Sequence, residues 1–287
     1  MELKRNHFIP RFMIDYWIDP SAPHRAVHVY DVSSRRSYLS TGKKPRPFSF
    51  AICNDLYVHS ACGDRAVGLE KWFSGLEGAL ASLVRQAHQR VDPITYSSSK
   101  EPTLGLMALI GLECRSRYNL KKVQAILDAN ETLRTVLDPD SAAPAEQQVL
   151  ENIVHQVSDH VSDFSPTEMV FMVAPGESSW LLCDRPYFHH PGLDYRFIVL
   201  TSKIMLAYKR SSDVAKYKYI DALPEFFDTM NERIAMQARD WLVAASSEQL
   251  KRYERTFDSQ EWTASVTGDK IVCEPIRNLS TGWRISS

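Results

Sequence analysis

The sequence lacks the short signatures that announce the common enzyme classes. It has no G-x-x-x-x-G-K-[ST] loop, no G-x-G-x-x-G turn, no G-x-S-x-G elbow and no H-E-x-x-H pair. Phosphate-cradling loops, dinucleotide folds, α/β-hydrolase nucleophiles and zincin helices each depend on one of those patterns, so these classes are set aside. Cysteine is sparse as well. Five residues, at 53, 62, 114, 183 and 273, include no C-x-x-C pair. An odd, scattered set reads as reduced and mostly buried thiols, not as a disulfide framework or a zinc ligand set. No run approaches the roughly 18 apolar residues of a membrane span. The opening MELKRNHFIP carries charge without the apolar core of a secretion signal. A cytoplasmic protein with no membrane segment is expected. An excess of either charge is also missing: 34 Lys and Arg face 35 Asp and Glu, a net charge of -1. No global field draws nucleic acid or anionic lipid, so such binding has to come from a local patch.

What is present is the composition of a globular protein, 44% hydrophobic and 24% charged over 287 residues. A chain of this length buries a core without staples. Apolar residues at helical spacing predict a first helix over 8–17, closed by Asp19-Pro20. Alternation predicts strands at 26–32, 35–40, 48–52 and 56–60. The strongest helical stripe runs over 66–90, through Leu69, Trp72, Phe73, Leu76, Leu80, Leu83 and Val84. Helices follow over 103–117, 119–137 and 145–162, with 138–146 as a candidate linker. Four apolar β-like stretches occupy 168–175, 179–184, 195–201 and 203–209. A long helix from Pro224 to about Ser247, carrying Trp241 and Leu242 on its apolar side, and a shorter one over 248–256 complete the pattern. The expected fold is α+β: small antiparallel sheet regions packed with five to seven helices, in a single domain spanning 1–287.

Three places could carry chemistry. His7 stands in Asn6-His7-Phe8-Ile9-Pro10, where it suits a base, a metal ligand or a hydrogen-bond partner at the start of the first helix. Arg11 beside it has a fork that fits phosphate or carboxylate. Glu70 and Glu77 project from one side of the 66–90 helix, and Gly75 and Gly78 beside Glu77 leave room for another backbone. Asp184, in Cys183-Asp184-Arg185-Pro186, ends an apolar strand, a place where functional carboxylates sit and also where ordinary turns begin. Lesser features are His155 with Asp159, which reads as helix surface, and Asn231, a poor helix former inside a helix and so a residue with a polar job. Over 203–220, lysines including Lys209 and Lys216 interleave with Tyr208, Tyr217 and Tyr219. That mixture suits single-stranded nucleic acid, and equally a solvated sheet edge.

Taken in order, these motifs resemble a widespread, mainly bacterial family catalogued only as a domain of unknown function. Its members open with His-aromatic-Val-Pro-Gln-aromatic-aromatic-Leu-Arg-aromatic, matched here by His7 through Tyr16. A Cys before Leu-Tyr is matched by Cys53 and Leu56-Tyr57, a helical Glu by Glu77, and Ser-Asp-x-Pro by Cys183 through Pro186. A late helix with Asn and small residues is matched by Asn231 and Ala238. Asp15 replaces the family's Arg and Cys183 its Ser, which puts an anion-binding role for that Arg in doubt.

The resemblance names no activity, but it sets His7, Glu77 and Asp184 at signature positions in separate elements. The leading expectation is a metal-dependent hydrolase of phosphodiesters, nuclease-like, of the kind a bacterial toxin or phage-defence effector would use. In it His7, Glu77 and Asp184 are catalytic, and Glu77 and Asp184 hold Mg or Mn. Arg11, Lys209 and Lys216 bind a nucleic acid or nucleotide. The alternative is a non-catalytic interaction or ligand-binding module, in which the same polar residues form a structural hydrogen-bond network.

Overall fold

A computed structural model describes residues 5–42, 48–54, 64–116, 145–164, 167–189, 195–211, 216–257, 262–267 and 270–275, with scattered positions between 119 and 132. Helices and sheets are mixed, as an α+β chain requires. The described residues hold six α-helices: α1 Arg11–Ile14, α2 Asp64–His88, α3 Glu101–Cys114, α4 Ala145–Phe164, α5 Pro224–Gln237 and α6 Ser247–Phe257. The linker expected at 138–146 lies outside the described residues up to 144, and 145–146 open α4. The helix expected over 119–137 and the strand over 56–60 also fall largely or wholly outside them.

Two sheets organise the molecule, and both are larger than the sequence suggests. One has four strands in the order β3-β2-β11-β6, built from β2 Ala26–Asp31, β3 Arg36–Thr41, β6 Leu182–Cys183 and β11 Trp241–Ala244. Its strands come from both ends of the chain, with Val243 opposite Val29 on one side and Leu182 on the other. The second has five strands, β10-β5-β9-β8-β7, from β5 Thr167–Val173, β7 Tyr187–His189, β8 Arg196–Val199, β9 Ile204–Arg210 and β10 Lys216–Asp221. It is mixed, because β10 runs parallel to β5 while the other pairs are antiparallel. Phe171 faces Leu206 and Met172 faces Met205 across its centre, all buried. Two short antiparallel pairs complete the strands: β1 Arg5–His7 with β4 Ile52–Asn54, and β12 Trp262–Thr267 with β13 Lys270–Pro275.

Alternation misleads at 48–52. Phe48 is fully buried with φ 48, in the left-handed region, and Ser49–Ala51 form a 3₁₀ turn. A Cβ on Gly42 would come within 3.2 Å of the Phe48 ring, so packing of this ring, and not a pleat, dictates the local backbone. The first helix is likewise split into α1 and a 3₁₀ turn, Asp15–Trp17, and His7 lies on β1 before it. The largest departure is at the end of α5. The helix stops at Gln237, Ala238 turns to ψ 134, and Trp241 and Leu242 belong to a central strand. Among the described residues no helix is long and apolar enough to cross a membrane.

Candidate functional site

The expected site residues occupy three different surroundings. His7 is half-buried on β1, opposite Ile52 of β4. Arg11, on the first residue of α1, donates from Nη2 to the carbonyl of Gly42 at 3.3 Å, tying α1 to the end of β3. Lys209 and Lys216 flank one acidic residue. Glu168 of β5 is the register partner of both, Lys209 from β9 and Lys216 from β10. Lys209 Nζ lies 3.9 Å from Glu168 Oε2 and 4.6 Å from the centre of the Tyr195 ring, while the Tyr195 hydroxyl donates to Glu168 Oε1 at 2.8 Å. This is cross-strand charge matching on a sheet face.

Glu77 leads to a junction that residue spacing does not announce. Its Oε1 accepts from Arg115 Nη1 at 2.8 Å, and the Arg115 side chain is only 3% exposed. The guanidinium also stands 5.0 Å over the Phe73 ring, a cation–π contact. Gly75 and Gly78 are open to space, and the close approach falls at Gly111 instead, where a Cβ would reach 3.0 Å from Phe73. Three further ties leave the same end of α3. Glu113 holds Arg196 of β8 at 2.7 Å, Cys114 Sγ lies 4.0 Å from His160 Nδ1 of α4, and Ser116 Oγ lies 2.8 Å from the Tyr187 hydroxyl of β7. Burial pushes the Cys114 thiol up to about 12, so it stays protonated. Four consecutive residues, 113–116, thus fasten α2, α4 and the five-stranded sheet together.

Asp184 stands three residues before Tyr187 and has a separate task. Its Oδ1 accepts from the backbone N–H groups of Arg239 at 2.9 Å, Asp240 at 3.2 Å and Trp241 at 3.4 Å. These are the groups released where α5 ends and β11 begins. Burial raises the Asp184 carboxyl to about 6 despite those donors, with Asp240 adding repulsion. Around it, Gln237 donates to the carbonyl of Arg185 and to Cys183 Sγ, which closes the loop from the other side. Asn231 does have a polar job. Wholly buried in α5, it accepts from Leu181 N at 2.8 Å and donates to Ser179 O at 3.4 Å, as a neighbouring strand would. Gln249 of α6 shares the Ser179 carbonyl.

A family model described as "Protein of unknown function (DUF4238)" matches residues 5–248. The chain belongs to this family. The DUF4238 region runs from β1 to the opening of α6, so it contains every residue of both large sheets and leaves out β12 and β13. No curated protein and no solved structure matches the chain.

Two polar positions that carry the DUF4238 resemblance, Glu77 and Asp184, meet different partners. Glu77 Oε1 faces a guanidinium and Asp184 Oδ1 faces backbone N–H donors, and both sets of donors compete with a cation for the same lone pairs. Among the described residues, no group of three or more His, Cys, Asp and Glu could hold a metal ion. Sequence reasoning passes over the junction at 113–116 because single residues at a helix end have no characteristic spacing. It also marks Asp19 only as a helix stop. In the fold Asp19 Oδ2 binds His28 Nε2 of β2 at 2.8 Å and Oδ1 accepts from Ser21 N and Oγ. Hydrogen bonds from the Ser21 hydroxyl and then His28 hold the Asp19 carboxyl down to about 2. His155 and Asp159 are exposed on α4, in keeping with a surface reading.

Proposed function

We propose that this DUF4238 chain is a non-catalytic interaction or ligand-binding module, in which Glu77 and Asp184 are structural ties. The observation that carries the reading is the occupancy of one oxygen of each: Glu77 Oε1 neutralises a buried arginine, and Asp184 Oδ1 gathers the N–H groups where α5 gives way to β11. A buried cation stripped of its partner, or a set of N–H groups without an acceptor, costs more than the tie itself contributes, so such residues can serve the fold alone. Of the two lysines offered for nucleic acid, Lys209 lies 3.9 Å from Glu168 Oε2, which leaves less free positive charge for phosphates than the sequence implies.

The rival is the Mg- or Mn-dependent phosphodiester hydrolase. The two separate in one assay, in which the full chain is incubated with Mg or Mn and an activated phosphodiester, as wild type and as Asp184→Asn. The binding-module reading expects no metal-dependent turnover above buffer from either protein. It also expects Asp184→Asn to unfold at wild-type urea concentration, because an amide oxygen accepts the same N–H groups. Metal-dependent turnover by the wild type that disappears in a folded Asp184→Asn would replace this reading with the hydrolase.

A further inference from the structure

The turn joining β8 to β9 rests against the last residue of α2. Thr201 in that turn is fully buried, and its hydroxyl oxygen has three neighbours. Lys203 N donates to Oγ1 at 3.2 Å, Ile204 N donates to it at 3.0 Å, and His88 Nδ1 lies 3.2 Å away. A threonine hydroxyl offers two lone pairs and one proton. The two backbone N–H groups point at the lone pairs, the Ile204 N–H being shared with the Thr201 carbonyl at 3.3 Å, and the proton is the group best placed for His88. That arrangement favours a donating hydroxyl, an accepting Nδ1 and a neutral imidazole with its own proton on Nε2.

We infer that His88 and Thr201 form a proton-controlled latch, which fastens the end of α2 to the β8–β9 turn and opens when the imidazole takes up a proton. A proton on Nδ1 would point at an oxygen that already receives two N–H groups, so ionisation weakens the tie. The turn supports more than itself. Ala174 N donates to Lys203 O at 2.9 Å and Trp180 N to Ser202 O at 2.7 Å. The Lys203 ammonium donates to Gly176 O at 3.1 Å and Ser178 O at 2.8 Å. The segment 174–180 thus hangs on the same turn, immediately before the strand that leads to Asp184. Opening the latch loosens that whole support.

The groups around the ring pull both ways. Burial, then the Lys203 ammonium, hold His88 below the ordinary histidine range. The Tyr16 ring, 4.5 Å away between centroids, and the C-terminal end of α2 favour the cation. Arg85 on α2 and Asp15 on the 3₁₀ turn stand near Tyr16 with opposite charges. The net shift is downward, so the folded state resists a proton that the unfolded chain accepts. The latch contributes fully above the unfolded value of about 6.5, and its contribution is lost as pH falls below it.

Two measurements on the full chain test this. Long-range nitrogen–proton NMR at pH 8 is expected to find His88 as the Nε2-protonated tautomer. Urea unfolding between pH 7.5 and 5.5 is expected to show wild type losing stability relative to His88→Asn, whose amide oxygen keeps an acceptor near the Nδ1 position without titrating. The folding constant of the wild type should drop several-fold more than the variant's, bounded by about tenfold per pH unit for one proton. An Nδ1-protonated tautomer, or pH profiles that run parallel, would overturn the latch. If the variant does not fold, the tautomer in the wild type decides alone.

Discussion

At Asn231 a side chain does the work of a backbone. Its amide presents one acceptor and one donor to Leu181 and Ser179, spaced as a strand would space them, from within a helix where asparagine is otherwise unfavourable. Removing that acceptor leaves the Leu181 N–H buried without its partner, and an unmet buried donor costs more than a typical hydrogen bond contributes. Asn231→Leu is expected to lower the unfolding free energy by about 1–3 kcal/mol in urea titrations. This residue was legible in the sequence as an anomaly, because helix propensity marks it. Arg115 was not. A buried arginine looks like any other in a string of letters, and its partner Glu77 is drawn to it only once α2 and α3 pack with Phe73 against Gly111.

Among the elements, those with strong periodicity are legible in the sequence. The α2 stripe and the apolar runs of β5 and β9 decide their own structure, since burial rewards one face or both. The end of α5 is not legible there, because Trp241 and Leu242 continue a helical stripe in the sequence. Asp184, which collects the N–H groups of residues 239–241, is distant in sequence, and its pull overrides local propensity. The edge strand β10 gives the complementary lesson. Its lysines and tyrosines read as a possible nucleic-acid platform, yet Ile94 N donates to the Tyr217 hydroxyl at 2.8 Å and the Tyr219 hydroxyl donates to Val91 O at 3.1 Å. Tyr219 also stacks on Phe171. The tyrosines hold the α2–α3 connection, and Lys216 and Lys218 point to water from the other side of the strand. Tyr217→Phe is expected to reduce stability by about 1 kcal/mol by thermal or urea unfolding, through loss of the acceptor for Ile94. A variant as stable as wild type would free that tyrosine for another role.

For the whole molecule, the four-stranded sheet joins residues 26–41 to residues 182–244, so the middle of the chain is folded between two parts of one sheet. On the proposed reading, Asp184, Asn231 and Glu77 serve long-range closure of this kind. Asp184 secures the turn into β11, Asn231 secures the segment before β6, and Glu77 with Arg115 joins α2 to the end of α3. The layout of helices and strands could be read from pattern, but the use of these residues could not, because each depends on which distant backbone it meets. The most direct test of the account is the unfolding free energy of Asp184→Ala, measured in urea at neutral pH. If Asp184 is a tie, the variant loses about 1–3 kcal/mol, the cost of leaving part-buried N–H groups without their acceptor. Wild-type stability in that variant would contradict the account and return Asp184 to the candidates for chemistry.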